Sequence, residues 1–200
     1  MTELKVPHTI YAENTPNPVS MKFVSNKLIA EGNPKEYLDF DSAKESPLAI
    51  KLFQFPFVKS VFISGNYITI NKTDMINWEE VTNELRVMIG NFLNEGNLAI
   101  TPTAKDKKHT NASEIPDNSQ VISSKLDNKI SEILDEYIRP AVEQDGGAIQ
   151  FKSFEKGIVT VTLRGACSGC PSASLTLKSG IEQLLKRLMP EVKEVIADEM

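Results

Sequence analysis

The chain has 200 residues, with 22 Lys and Arg against 27 Asp and Glu, a net charge of −5 and a hydrophobic fraction of 40%. That length suits one large domain or two small ones, and that apolar fraction is enough for folded cores. Neither the stretch up to Glu95 nor the one after it is basic, so neither half carries the electrostatic footprint of a nucleic-acid binder.

No apolar run approaches membrane-spanning length, so no membrane association is expected. The opening Met1-Thr2-Glu3-Leu4-Lys5 has neither an apolar signal core nor an Arg-rich transit pattern. The expectation is a cytoplasmic, bacterial protein; the alternative is a mature organelle-matrix protein whose presequence has been removed. Both cysteines fall within one four-residue window, which suits a reducing compartment better than a secreted disulfide scaffold.

In chain order, Thr15-Pro16-Asn17-Pro18 reads as a rigid extended turn with no general base or nucleophile. Ser46 to Phe53 suits a short helix with Pro47 in its first turn. Val58–Ser64 and Tyr67–Asn71 are β-rich runs separated by Gly65-Asn66, a hairpin signal. Asn77 resembles an N-cap, with Glu80 three positions on in capping-box style. Trp78, Val81, Leu85, Met88, Ile89 and Phe92 follow at helical spacing, and Gly96 is a stop. Trp78 reads as a core or docking residue of that helix. Residues 1–96 therefore form an α/β domain without a catalytic constellation, read as an interaction domain. Residues 97–122 are polar with two prolines, and read as a flexible linker.

Residues 123–200 carry the order helix, strand, strand, helix, strand, giving a fold of the α/β (α+β) class: α-β-β-α-β, with a three-stranded sheet and two helices. Leu126, Ile130, Ile133, Leu134, Tyr137, Ile138 and Ala141 make one helical stripe, capped by Ser124 and ended or bent at Pro140. Ala148–Phe154 and Ile158–Leu163 are strands around a Glu155-Lys156-Gly157 turn. In the second, Val159, Val161 and Leu163 share one face, and Thr160 and Thr162 the other. A helix from Ser172 to Met189 turns Leu177, Ile181, Leu184, Leu185 and Leu188 to the core. Val192 to Ala197 returns as the last strand.

Arg164-Gly-Ala-Cys-Ser-Gly-Cys-Pro-Ser-Ala joins a strand to a helix. Cys167 and Cys170 are the only thiols, and thiolates are the ligands of soft metals and of iron–sulfur clusters. The pair precedes a helix start, where unpaired amides and the dipole are expected to lower thiol pKa values. Gly165 and Gly169 let the backbone pass close to a bulky inorganic core. The spacing alone leaves four readings open: a redox dithiol, half a zinc site, half a cluster site, or two buried structural cysteines. No histidine completes a site, since His8 and His109 fall in the N-terminal tail and the linker. Cluster and structural zinc sites usually take four protein ligands, and one chain offers two, so a metal site here bridges subunits. Asp145-Gly146-Gly147 is read as a helix-exit turn in preference to a device that positions the cysteine loop, and Arg164 as a solvated strand-end charge.

Three separated motifs carry a resemblance. Arg139-Pro-Ala-Val-Glu-Gln-Asp-Gly-Gly, Gly165-Ala-Cys-Ser-Gly-Cys-Pro-Ser-Ala and Thr176-Leu-Lys-Ser-Gly-Ile-Glu resemble the C-terminal NifU domain of the Nfu iron–sulfur scaffold family, over about Ser124 to Met200. Asn14-Thr-Pro-Asn-Pro-Val-Ser-Met-Lys-Phe resembles the opening of the Nfu N-terminal domain, over about Thr9 to Leu93. Ala148 and Ala173 depart from the family's usual residues without touching a ligand. The resemblance implies a non-enzymatic carrier that holds a 4Fe–4S cluster between two subunits through Cys167 and Cys170. It would act as a homodimer on cluster binding, passing the cluster from upstream assembly proteins to apo iron–sulfur clients. The competing functions are a dithiol oxidoreductase using the same two cysteines and a zinc-bridged adaptor dimer.

Overall fold

A computed structural model describes residues 6–102, 118–168 and 171–198. The chain divides into two compact units, Met1–Lys107 and Lys108–Met200.

The first unit is a five-stranded sheet in the order β1-β2-β5-β4-β3, built from β1 (Ile10–Asn14), β2 (Ser20–Ser25), β3 (Lys35–Tyr37), β4 (Val58–Ser64) and β5 (Tyr67–Lys72), all neighbours antiparallel. Pairing sets Phe23 opposite Ile68, Met21 opposite Ile70, and Val61 and Ile63 opposite Ile70 and Ile68. One sheet face thus presents a continuous apolar surface to helices α1 (Pro47–Leu52) and α2 (Trp78–Asn94). Leu48, Leu52, Leu85 and Ile89 complete that core, each fully buried.

The short helix and the β4–β5 hairpin fall where expected. Ser46 caps α1: its Oγ accepts from the Ala49 amide at 3.1 Å and donates to the Ala99 carbonyl at 2.6 Å. Gly65 turns the hairpin at φ +51° and Gly96 ends α2 at φ +85°. The capping box differs in form. Asn77 makes no side-chain bond to the helix backbone; instead its Nδ2 donates to Glu80 Oε1 at 3.1 Å. The 15–18 turn is held by its own side chains, with Thr15 Oγ1 donating to the Asn17 carbonyl and Asn17 Oδ1 accepting from the Val19 amide. Trp78 sits half-buried at the core edge, its indole N–H donating to the Pro18 carbonyl at 3.0 Å. Of the residues read as linker, Ala99 is buried against the first unit and Thr101 donates its amide to the Glu45 carbonyl. Residues 103–117, where the flexible part was expected, lie outside the described residues.

The second unit contains α3 (Asn118–Ile133), a π-helical turn (Leu134–Ile138), α4 (Arg139–Gln144), β6 (Gly147–Glu155), β7 (Ile158–Gly165), α5 (Pro171–Leu188) and β8 (Glu194–Asp198). Its sheet runs β6-β7-β8, antiparallel then parallel, so the expected α-β-β-α-β order holds. The helical start precedes the expected Ser124 cap.

Pro140 neither ends the helix nor leaves it regular. It has no N–H to donate four residues back, and its ring crowds that carbonyl. The chain absorbs this by widening one turn, with the Arg139 amide bonding the Leu134 carbonyl five residues back. One extra residue in the turn moves the apolar stripe on by one position. Val142 is therefore buried, while Tyr137 and Ala141, expected on the core face, are exposed. At the end of α5 the core face runs through Ile181, Leu185 and Met189 at four-residue spacing, so Met189 is fully buried and Leu188, expected on the core face, is exposed. Val159, Val161 and Leu163 all enter the core, as their alternation requires.

Candidate cluster-binding site

The cysteine loop grows out of the β6–β7 hairpin. At the far end of the hairpin, Lys156 (φ 53°) and Gly157 (φ 89°) make the tight turn. At the near end Gly147 pairs with Gly165. Gly165 takes φ +70° and opens a turn closed by the Ser168 amide on the Gly165 carbonyl at 3.2 Å. Ser168 Oγ donates to the same carbonyl at 2.9 Å. Helix α4 exits beside it: the Gly146 amide bonds the Glu143 carbonyl at 3.1 Å, and Gly146 takes φ +81°. The Gly146 carbonyl then accepts from the Ala166 amide at 3.2 Å, tying the helix exit to the cysteine turn.

Cys167, the third residue of that turn, points inward. It is 7% exposed and belongs to the apolar core with Ile149, Leu163 and Ile181. Burial, with a smaller contribution from the Asp145 carboxylate, pushes its thiol up to about 12. The expected lowering by a helix start is therefore corrected at this residue: Cys167 lies upstream of α5 and faces apolar side chains, where a thiolate is poorly solvated. A protonated, buried thiol is a weak nucleophile; it becomes a ligand only by releasing its proton.

Cys170 and Gly169 lie outside the described residues. Among the described residues, no three His, Cys, Asp or Glu side chains gather closely enough to hold a metal ion. His8 is engaged in the first unit, its ring Nδ1 3.0 Å from Ser25 Oγ; His109 lies outside the described residues. Arg164 is half-buried rather than solvated. In the Asp145-Gly146-Gly147 turn, Gly146 makes the expected helix exit, and Gly147 lies against the Cys167 thiol.

Fold and loop together define a two-unit α+β protein whose CxxC sequence falls between β7 and α5, with Cys167 buried. Residues 130–196 match the NifU-like domain, and residues 10–96 match the scaffold protein Nfu/NifU N-terminal domain. The chain belongs to the Nfu family, which joins these two domains. It is 38% identical over 189 residues to NifU-like protein 4, mitochondrial, of Arabidopsis thaliana, covering 93% of this chain and 64% of that one. It is 36% identical over 187 residues to the NFU1 iron-sulfur cluster scaffold homolog, mitochondrial, of Drosophila willistoni, covering 93% and 62%. The chain thus spans a little under two thirds of the length of these relatives. A solution structure of a NifU-like protein from Saccharomyces cerevisiae matches with 26% identity and a TM-score of 0.43, over 52% of this chain and 92% of that one. Both sequence relatives are named as mitochondrial, which favours the organelle alternative over the cytoplasmic, bacterial expectation. No described helix is long and apolar enough to cross a membrane.

Proposed function

We propose that this protein is an iron–sulfur cluster scaffold or carrier, not an enzyme, working in a mitochondrial matrix. Its cargo is a 4Fe–4S cluster held through Cys167 and Cys170 and shared with the same pair of a second subunit. The observation that carries the reading is the CxxC loop, set at the β7–α5 junction of a unit that matches the NifU-like domain. The relatives' names support a scaffold role. Two thiols per chain support the bridged arrangement, because such a cluster takes four cysteine ligands.

The chain's own contribution is to supply thiols and give them up again. Loading releases the Cys167 proton, since the ligand is the thiolate. Transfer to an apo-protein then requires only ligand exchange, with client thiols replacing those of the carrier one at a time. The first unit has the character of an interaction domain for assembly proteins and clients. When the cluster arrives preformed, the Cys167 proton passes to solvent and neither step changes an oxidation state.

The test is anaerobic reconstitution with iron and sulfide. Wild type should load acid-labile sulfide and turn brown, whereas Cys167→Ala and Cys170→Ala should fold and stay colourless. Full cluster on either variant contradicts the assignment. Bound zinc without sulfide, or a reversible dithiol without metal, would replace it with one of the two competing functions.

A further inference from the structure

We infer that Gly147 is a positioning residue for the Cys167 thiol, an inference that rests on the reading of Cys167 as a cluster ligand. Adjacent glycines here serve different ends. Gly146 sits at φ +81°, where any side chain is strained. Gly147 lies outside that left-handed region, so its backbone is open to other residues. What it lacks is space. A Cβ at position 147 would fall 2.6 Å from Cys167 Sγ, 3.1 Å from Cys167 Cβ and 2.8 Å from the Arg164 carbonyl oxygen.

All three atoms belong to the strand end and turn that carry the ligand, and the Gly147–Gly165 pair fixes their register. The carbonyl is part of the hairpin backbone. The thiol turns about a single side-chain bond, so it is the atom that yields first. A methyl group at 147 would therefore push Sγ out of its place in the apolar cluster with Ile149, Leu163 and Ile181. Gly157 provides a comparison at the opposite end of the hairpin, where a Cβ would fall 2.9 Å from two Lys193 side-chain carbons and 3.0 Å from the Glu191 carbonyl oxygen and where φ is +89°, so a substitution there is also unfavourable but touches no thiol.

The experiment uses the full chain. In a Cys170→Ser background Cys167 is the only thiol. Gly147→Ala should raise its iodoacetamide alkylation rate under native conditions about tenfold, while Gly157→Ala should leave it within about twofold. Equal rates in the two glycine variants overturn the inference. With both cysteines present, Gly147→Ala should retain less reconstituted cluster than Gly157→Ala. If wild type itself loads no cluster, the scaffold reading fails, and the alkylation rates still decide whether Gly147 seats the thiol. Should Gly147→Ala fail to fold, it is combined with Cys167→Ala. Recovery of a folded chain in the double variant supports a clash with the thiol, and a double variant that still fails to fold assigns the clash to the Arg164 carbonyl and overturns the inference.

Discussion

Leu163→Ala probes both the core beneath the cysteine loop and the independence of the two units. Leu163 is 1% exposed in the apolar cluster of the second unit. Removing three carbons from such a site loses transfer free energy and leaves a cavity, at a cost of about 3 kcal/mol. For a unit of this size that corresponds to roughly 15 °C in melting temperature, or about 2 M in urea midpoint. Trp78 is the only tryptophan in the sequence and lies in the first unit, so its fluorescence follows that unit alone. Far-UV circular dichroism follows both. We expect the variant to split the urea transition: the dichroism gains an early phase while the Trp78 midpoint stays in place. A Trp78 midpoint that falls with the dichroism would show one cooperative block and refute the proposed independence. No early phase at all would refute the place given to Leu163.

Ser46→Ala should act on the other unit. It removes the α1 cap and leaves the Ala99 carbonyl without its Oγ–H donor in a fully buried place, costing about 2 kcal/mol, read as a lower Trp78 urea midpoint. An unchanged midpoint would contradict the bond pattern. Glu182 is held below the usual carboxylate range, first by its hydrogen bond from Lys186 and then by the Val195 amide. A depressed folded-state pKa gives stability that is present above the unfolded value of 4.5 and lost as pH falls through the lowered one. The stability difference between wild type and Glu182→Gln should therefore shrink on going from about pH 6 to about pH 3; a difference that stays constant with pH would rule out this linkage.

Legibility in the sequence followed the strength of each local pattern. Helix α5 and strands β6 to β8 were readable because Val159, Val161 and Leu163 alternate and Ile181 and Leu185 recur at helical spacing. Strands β1 to β3 were not. Ile10–Asn14 buries one residue of five, Lys35–Tyr37 is three residues long, and Ser20–Ser25 is buried on both faces with Ser and Lys among its residues. Pairing with neighbours, not local composition, makes these strands. Pro140 signalled a disturbance, but only the chain's choice of a π-helical turn moved the stripe from Ala141 to Val142.

The site divides in the same way. Cys167 stood out as a candidate ligand from its spacing to Cys170 and from the family resemblance. Its depth was not, because that depends on β6–β7 register bringing Gly147 beside a residue twenty positions later. The double glycine was the available signal. Only the absence of room at Gly147, against the positive φ of Gly146, separates a thiol contact from a helix exit.

The shared-cluster claim is tested most directly by sedimentation before and after anaerobic reconstitution, with iron and sulfide counted per chain. The account predicts a monomer that becomes a dimer on loading, with one 4Fe–4S cluster per two chains, because a cluster that binds only the paired state stabilises it by linkage. One complete cluster on a sedimenting monomer would contradict the bridge and require that thiols from outside the chain supply the missing ligands.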